Sequence, residues 1–248
     1  MSHKHKEKKT EKRCPEYVWC VIPVYNHSAT VKDVVSETLA YCSNIVVVDD
    51  GSTDAKIADV LSGIDVKVLT HSHNMGKGAA LHTGAEYVKE HGGKYILTLD
   101  ADGQHSPGDI VHFIPYITEK ADNIIIGNRH FNSEHVPERS KFGRKFSNFW
   151  INFETGATVE DSQSGFRGYP TELLTNKKFA SGHYAFETEI LVRGVWSGLD
   201  IVNVDISVYY PEREKRITHF RPFLDNLRIS LLHSRLTAEK ILFHSLGR

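Results

Sequence analysis

From Val18 onward, short apolar runs alternate with longer stretches whose apolar residues recur at helical spacing. Runs of strand length cover residues 18–24, 45–48, 66–69, 95–99 and 123–126. They are mostly apolar throughout instead of alternating with polar positions, as strands covered on both faces are, so they predict a parallel sheet between helical layers. Helices are predicted to begin near Thr30, Ala55, Gly78 and Ser106, which gives βαβ units and an α/β fold class. Ser106-Pro107 is a strong start signal, because serine caps the first turn and proline suits a position whose N–H is unbonded anyway. Near the C-terminus, apolar residues at 223, 224, 227, 231, 238, 241 and 242 keep close to helical spacing, with Arg228, Arg235 and Lys240 interspersed. This predicts an amphipathic helix, either packed on the domain or lying in a membrane interface.

A length of 248 residues suffices for one full core, and a formal charge of −1 provides no global field to attract nucleic acid or an acidic membrane. No apolar stretch approaches the roughly 20 residues that span a bilayer, and no signal-peptide core follows the N-terminus. Cys14, Cys20 and Cys42 are odd in number and lack metal-ligand spacing, which suits a reducing compartment. The expected location is cytoplasmic, with a peripheral position on the inner membrane as the variant the C-terminal helix would allow. Residues 1–13 form a Lys/His/Glu run without an apolar face. The expected division is a disordered basic tail over 1–15, one globular domain over 16–221 and the C-terminal helix over 222–248.

Parallel strands share a direction, so the carboxyl ends of these strands lie on one sheet edge, where open α/β sheets bind ligands. On that edge the 95–99 run ends abruptly in Asp100-Ala101-Asp102-Gly103-Gln104-His105. Period two along an extended chain turns Asp100 and Asp102 to the same side. Adjacent carboxylates repel unless a cation or hydrogen bonds compensate, so the pair, with Gln104 as a neutral oxygen ligand, reads as a bracket for Mg²⁺ or Mn²⁺. Asp-Ala-Asp-Gly is equally good turn chemistry, and the tetrapeptide alone does not decide. The first strand ends in Pro23-Val24-Tyr25-Asn26 and the second in Asp49-Asp50-Gly51-Ser52. An aromatic ring can stack on a nucleobase while a carboxylate accepts a base N–H. After the third strand, Asn74-Met75-Gly76-Lys77-Gly78 opens a helix, where backbone N–H groups and a lysine can receive an anion. This loop is neither a P-loop, which has glycine where His71 stands, nor a dinucleotide fingerprint, which has glycine where Leu81 stands.

Taken in order, Pro23-Val-Tyr25-Asn26, Val48-Asp-Asp50-Gly-Ser-Thr-Asp54, Asn74-Met-Gly-Lys77-Gly78 and Asp100-Ala-Asp102-Gly-Gln104-His105 resemble the family 2 glycosyltransferases. The nearest branch, from the Asp100 motif and Asp161-Ser-Gln-Ser-Gly165-Phe-Arg167-Gly-Tyr169, is the polyprenyl (dolichol) phosphate sugar transferases. The resemblance spans roughly residues 18–210 and implies a Rossmann-like GT-A fold that transfers a sugar with inversion from a nucleotide-diphospho-sugar. By it, Pro23, Tyr25, Asn26, Asp50, Lys77, Gly78 and Asp100 bind the nucleotide-sugar, and Asp100, Asp102 and Gln104 hold Mg²⁺ or Mn²⁺ with the diphosphate. The implied partners are that donor and a lipid-linked or other hydroxyl or phosphate acceptor at a membrane surface, not nucleic acid. The chain departs from the branch at His27, where an acid or Asn is common, and in lacking C-terminal transmembrane helices. Residues 208–211 and 216–223 look more like soluble transferases of bacterial lipid or aryl-polyene assembly. Two alternatives stand beside this reading. A sugar-nucleotide pyrophosphorylase would open with a Gly-rich activation loop, which the first strand lacks, and a silent nucleotide-sugar binder would have no need of Asp100, Asp102 and a base.

Sugar transfer requires cations against the leaving diphosphate. Arg129, just past the fifth strand, is on the functional edge, while Arg139 and Arg144 lie in a basic stretch that reads either as mobile before substrate binds or as an exposed helix face. A hydroxyl acceptor needs a general base, whereas a phosphate acceptor is already ionised. Asp161 is the favoured base and Glu187 and Glu189 are rivals; lying two apart on a helix, only one of the glutamates can face the site. The other reading of Asp161 is a turn aspartate paired with Arg167.

Overall fold

The structure is a computed structural model and describes residues 13–129, 138–176, 185–209 and 222–246. Strands β1 (Val18–Val24), β2 (Ile45–Asp49), β3 (Lys67–Thr70), β4 (Tyr95–Thr98) and β5 (Asn123–Arg129) form where the apolar runs predict them. Two more, β6 (Arg167–Pro170) and β7 (Asp200–Ile206), come from stretches without such a run. All seven make one sheet in the order β3-β2-β1-β4-β6-β5-β7. Pairing is parallel except at β6, which lies between β4 and β5 and is antiparallel to both. The expected α/β architecture with a mostly parallel sheet is therefore the one observed.

The reversed strand decides what reaches the functional edge. β1, β2, β4 and β5 end there, but β6 begins there, with Arg167 in register with Thr98 and Ile126. The loop over 161–166 is thereby delivered to the edge from the opposite chain direction. β5 also runs on to Arg129, past the end of its apolar run. β7 pairs with it residue by residue from Asn123–Asp200 to Arg129–Ile206, so a ladder partner sustains Gly127-Asn128-Arg129 where hydrophobicity does not.

Successive strand residues feed opposite layers. Cys20, Ile22 and Val24 pack with Val31 and Val35 of α1 (Ser28–Thr38) and with Ile110 and Phe113 of α4 (Ile110–Glu119), the face that α2 (Ile57–Val60) also covers. Val21, Val46 and Ile96 pack with Leu81 and Ala85 of α3 (Lys77–Glu90), the face shared with α5 (Glu138–Thr155), α6 (Thr171–Asn176) and α7 (Ala185–Trp196). Three of the four predicted helix starts fall within two residues of the observed ones, and α4 begins four residues after Ser106. Ser106 does cap, its hydroxyl accepting from the Gly108 N–H at 3.3 Å above a single 3₁₀ turn, Pro107–Asp109.

The C-terminal helix α8 (Pro222–Leu246) packs on the domain through buried Leu232, His233 and Leu236, and His233 Nδ1 lies 3.0 Å from Glu154 Oε1 of α5. The face it buries is not the one its apolar spacing predicts: Leu227, Leu231, Ile241 and Leu242 of the predicted stripe stay exposed, and the buried Leu232, His233 and Leu236 lie outside that stripe. Phe149 and Phe153 of α5 are exposed as well. No helix among the described residues is long and apolar enough to cross a membrane. Of the tail expected over 1–15, residues 1–12 lie outside the described residues, while Arg13 is docked by hydrogen bonds to Leu39 O and Ser43 Oγ. Cys14, Cys20 and Cys42 are free thiols.

Candidate active site

The ends of β1 and β2 are tied to each other before either meets a ligand. Asn26 adopts a left-handed φ of 56°, a conformation asparagine tolerates, and its Oδ1 accepts from the Thr53 N–H at 2.8 Å. Its own N–H donates to Ser52 Oγ at 3.1 Å. Asp50 is 2% exposed, and its oxygens accept from the N–H groups of Met75 (2.9 Å) and Gly76 (2.8 Å). His71 Nδ1 is 2.7 Å from the same carboxylate, and His71 Nε2 is 2.9 Å from Thr83 Oγ1 on α3. Asp50 thus fixes the loop that presents Lys77. Pro23 and Tyr25 line the neighbouring edge, both half-buried.

Lys77, first residue of α3, brings three elements together. Its ammonium lies 2.6 Å from Asp100 Oδ1, beyond the end of β4, and 2.6 Å from Glu187 Oε1, in the first turn of α7. Burial pushes the Asp100 carboxyl up, but Lys77 beside it prevails and holds it below the usual carboxylate range. The same two carboxylates raise Lys77 well above its ordinary value despite its burial. Gly78 is close-packed: a Cβ there would come within 2.8 Å of Phe186 Cγ, so this glycine lets α3 approach α7. Gly165, delivered by the loop before β6, does the same for Asp100. A Cβ on Gly165 would fall 1.9 Å from Asp100 Oδ2, so the carboxylate lies directly against its α-carbon.

Asp102 accepts from the Gln104 N–H at 2.9 Å, and Gln104 itself is half-buried. Burial and the neighbouring charge of Asp100 push the Asp102 carboxyl up to about 6. The folded protein therefore holds this proton more tightly than the unfolded chain does, and stability falls as pH rises from the ordinary value of 3.8 through about 6. Asp102→Asn, which keeps an oxygen for Gln104, is expected to raise Tm of the ligand-free protein at pH 7.5 by roughly 2–4 °C, the effect of about 1 kcal/mol in a chain of this size. At pH 4 it should change little. Equal melting temperatures at pH 7.5 would remove the inferred repulsion.

His105, 6% exposed, feels the charges of Asp100, Arg129, Lys77 and Asp161, a surrounding that its sequence position alone does not announce. Its Nδ1 is buried with no hydrogen-bond partner among the described residues, and burial pushes its pKa down to about 4, helped by Arg129 and Lys77 against the pull of Asp100. The imidazole is neutral at neutral pH.

Asp161 and Arg129, singled out separately, are partners. Asp161 is fully buried and clasped bidentately, with Arg129 Nε 2.7 Å from Oδ2 and Nη2 2.9 Å from Oδ1. The expected alternative partner, Arg167, is engaged elsewhere: it donates to the carbonyls of Ser162, Ser164 and Glu187 and to Tyr169 Oη, bracing the 161–165 loop against α7. Arg144 belongs to α5, so the basic stretch is helical, and its Nη1 donates to Arg129 O at 3.2 Å. The side chain of Arg139 lies outside the described residues. Of the two glutamates, Glu187 faces the site and Glu189 turns away to Arg193 at 2.7 Å.

The donor set suits a divalent ion in an open site. No group of three or more His, Cys, Asp or Glu side chains that could hold a metal ion is present among the described residues. Asp100 and Asp102, near enough for the charge of Asp100 to push the Asp102 carboxyl up, are hard oxygen donors of the kind Mg²⁺ takes in ones or twos, with phosphate oxygens as its other ligands.

Comparison with known proteins shows the family and the fold. The family model for glycosyl transferase family 2 matches residues 19–180. The chain is 30% identical over 218 residues to the UDP-N-acetylglucosamine–dolichyl-phosphate N-acetylglucosaminyltransferase of Methanococcus voltae, covering 79% of this chain and 86% of that one. It is 30% identical over 207 residues to the polyprenol monophosphomannose synthase of Mycolicibacterium smegmatis, covering 78% and 77%. In fold it is similar to mannosyl-3-phosphoglycerate synthase from Rubrobacter xylanophilus, with a TM-score of 0.63 at 18% identity over 92% of this chain and 74% of that one. Strand-end motifs, sheet order and sequence relatives converge, and the chain belongs to glycosyl transferase family 2.

Proposed function

We propose that the protein transfers a sugar, with inversion, from a nucleotide-diphospho-sugar to a lipid-linked phosphate, using Mg²⁺ or Mn²⁺. The observation that carries this is a carboxylate pair, Asp100 and Asp102, on the sheet edge between two cations, Lys77 and Arg129, both of which act on Asp100. Pro23, Tyr25 and Asn26 would flank the nucleobase, on a wall whose loops Asp50 fastens. Asp100, Asp102 and Gln104 would hold the ion, which when bound neutralises charge growing on the leaving diphosphate. Lys77 and Arg129 would add fixed positive charge on either side of it. Neutral His105, whose buried Nδ1 has no hydrogen-bond partner among the described residues, would add a polar group beside this charged cluster.

A phosphate acceptor fits the second half of the site better than a hydroxyl. A hydroxyl would need a base, and Asp161 could serve only by giving up its bidentate pair with Arg129 while fully buried. With an ionised phosphate as nucleophile, Asp161 instead orients Arg129. Relatives named for dolichyl-phosphate and polyprenol substrates support the same class. Exposed Leu231 and Leu242 on α8 and Phe149 and Phe153 on α5 would let this face rest on a bilayer that holds the acceptor.

The test combines binding with turnover. UDP-, GDP- and dTDP-sugars should be screened by thermal shift with Mn²⁺, and the stabilising donor then offered to polyprenyl phosphate in anionic vesicles. One donor should raise Tm only with the metal, and release of nucleoside diphosphate should require the lipid phosphate. No shift with any donor would overturn the donor reading, and equal turnover with a simple alcohol acceptor would overturn the phosphate.

A further inference from the structure

We infer that Lys77 is a built-in counter-ion that competes with the divalent ion for Asp100, so that metal and nucleotide diphosphate bind as a coupled pair. The inference rests on the proposed function and concerns how that site is loaded. The two oxygens of Asp100 are unequally placed: Oδ2 packs against the α-carbon of Gly165, while Oδ1 meets the Lys77 ammonium at 2.6 Å. Oδ1 is therefore the oxygen turned to a cation, and Lys77 holds it.

Glu187 makes the exchange feasible. Because its Oε1 also lies 2.6 Å from Nζ, Lys77 can leave Asp100 without becoming an unpaired, half-buried charge. Metal alone must still displace a paired ammonium and then share the site with it, two cations side by side. A nucleotide diphosphate changes that balance, since its oxygens are partners for the ion and for the displaced Lys77 together. Each ligand then strengthens the other by the same factor. Asp50 supports this by fixing the backbone N–H groups of Met75 and Gly76, which sets where Lys77 starts from.

Calorimetric titration with Mn²⁺ alone, with UDP or GDP alone, and with the two together measures the coupling directly. The wild type should show Mn²⁺ and the nucleotide each tightening the other by about tenfold or more, within the usual range of such couplings. Lys77→Met should bind Mn²⁺ alone about tenfold more tightly and lose most of the coupling, whereas Lys77→Arg should keep Mn²⁺ binding weak. The double variant Lys77→Met/Glu187→Gln has the formal charge of the wild type and leaves no unpaired carboxylate at Glu187. It should still bind Mn²⁺ alone more tightly, which separates competition at Asp100 from a change in overall field. Wild-type Mn²⁺ affinity and coupling in both Met variants would overturn the inference while leaving metal-dependent donor binding intact. If the wild type binds neither Mn²⁺ nor nucleotide, the inference and the proposed function fall together.

Discussion

Gly165→Ala is expected to abolish metal-dependent donor binding and to lower turnover by at least about 100-fold, the penalty typical of a displacement near 1 Å at a reacting centre. The reason is steric. A methyl group at 165 would lie 1.9 Å from Asp100 Oδ2 and 2.5 Å from Asp100 Cγ, so the carboxylate must swing out of its place between Lys77 and the β6 loop. The loop cannot yield easily, because Gly165 O accepts from Thr98 Oγ1 at 2.9 Å and Arg167 pins the carbonyls of Ser162 and Ser164. Far-UV circular dichroism should be unchanged while the Mn²⁺-dependent thermal shift with donor disappears, as in Asp100→Asn. A Gly165→Ala protein that binds donor like the wild type would show that the position of Asp100 is not what the site depends on.

Arg129→Met should destabilise the protein by about 3–5 kcal/mol, because it leaves the fully buried Asp161 carboxylate without its bidentate partner. In a chain of this size that corresponds to a fall in Tm of roughly 6–20 °C. Arg144, an ion-pair partner at 3.9 Å from Oδ2 that also donates to Arg129 O, gives Asp161 one long contact in place of the bidentate pair. Removing both partners in Arg129→Met/Asp161→Leu should recover most of the lost stability, since no charge is then stranded. Turnover should remain lost in both variants. Urea unfolding and transfer assays on the same samples separate the two effects. A stable, inactive Arg129→Met would indicate that Asp161 finds another partner, and a stable, active double variant would remove the pair from catalysis.

Local signals in the chain were sufficient for half of this site. Apolar runs of strand length located β1 to β5, Ser106 and Pro107 marked a helix start, and a shared parallel direction was enough to bring Tyr25, Asp50, Asp100 and Asp102 to one edge. These features are legible because burial on two faces and backbone capping act within a few residues.

What the local pattern could not supply was the choice of partners. Asp161, Gly165 and Arg167 reach the edge only because a four-residue strand, Arg-Gly-Tyr-Pro, inserts antiparallel between β4 and β5. Its polar start and glycine carry no apolar run to announce it. That reversal pairs Asp161 with Arg129 rather than with Arg167, presses Gly165 onto Asp100, and leaves Arg167 to brace the loop. The helical spacing of Glu187 and Glu189 implied that only one could face the site, and the packing of α7 on α3 decided that it is Glu187. The chain by itself determined the edge and the chemical groups along it. Which carboxylate meets which cation was settled only by strand order and helix packing, because an ion pair forms over a few ångströms in space between residues that are far apart in sequence.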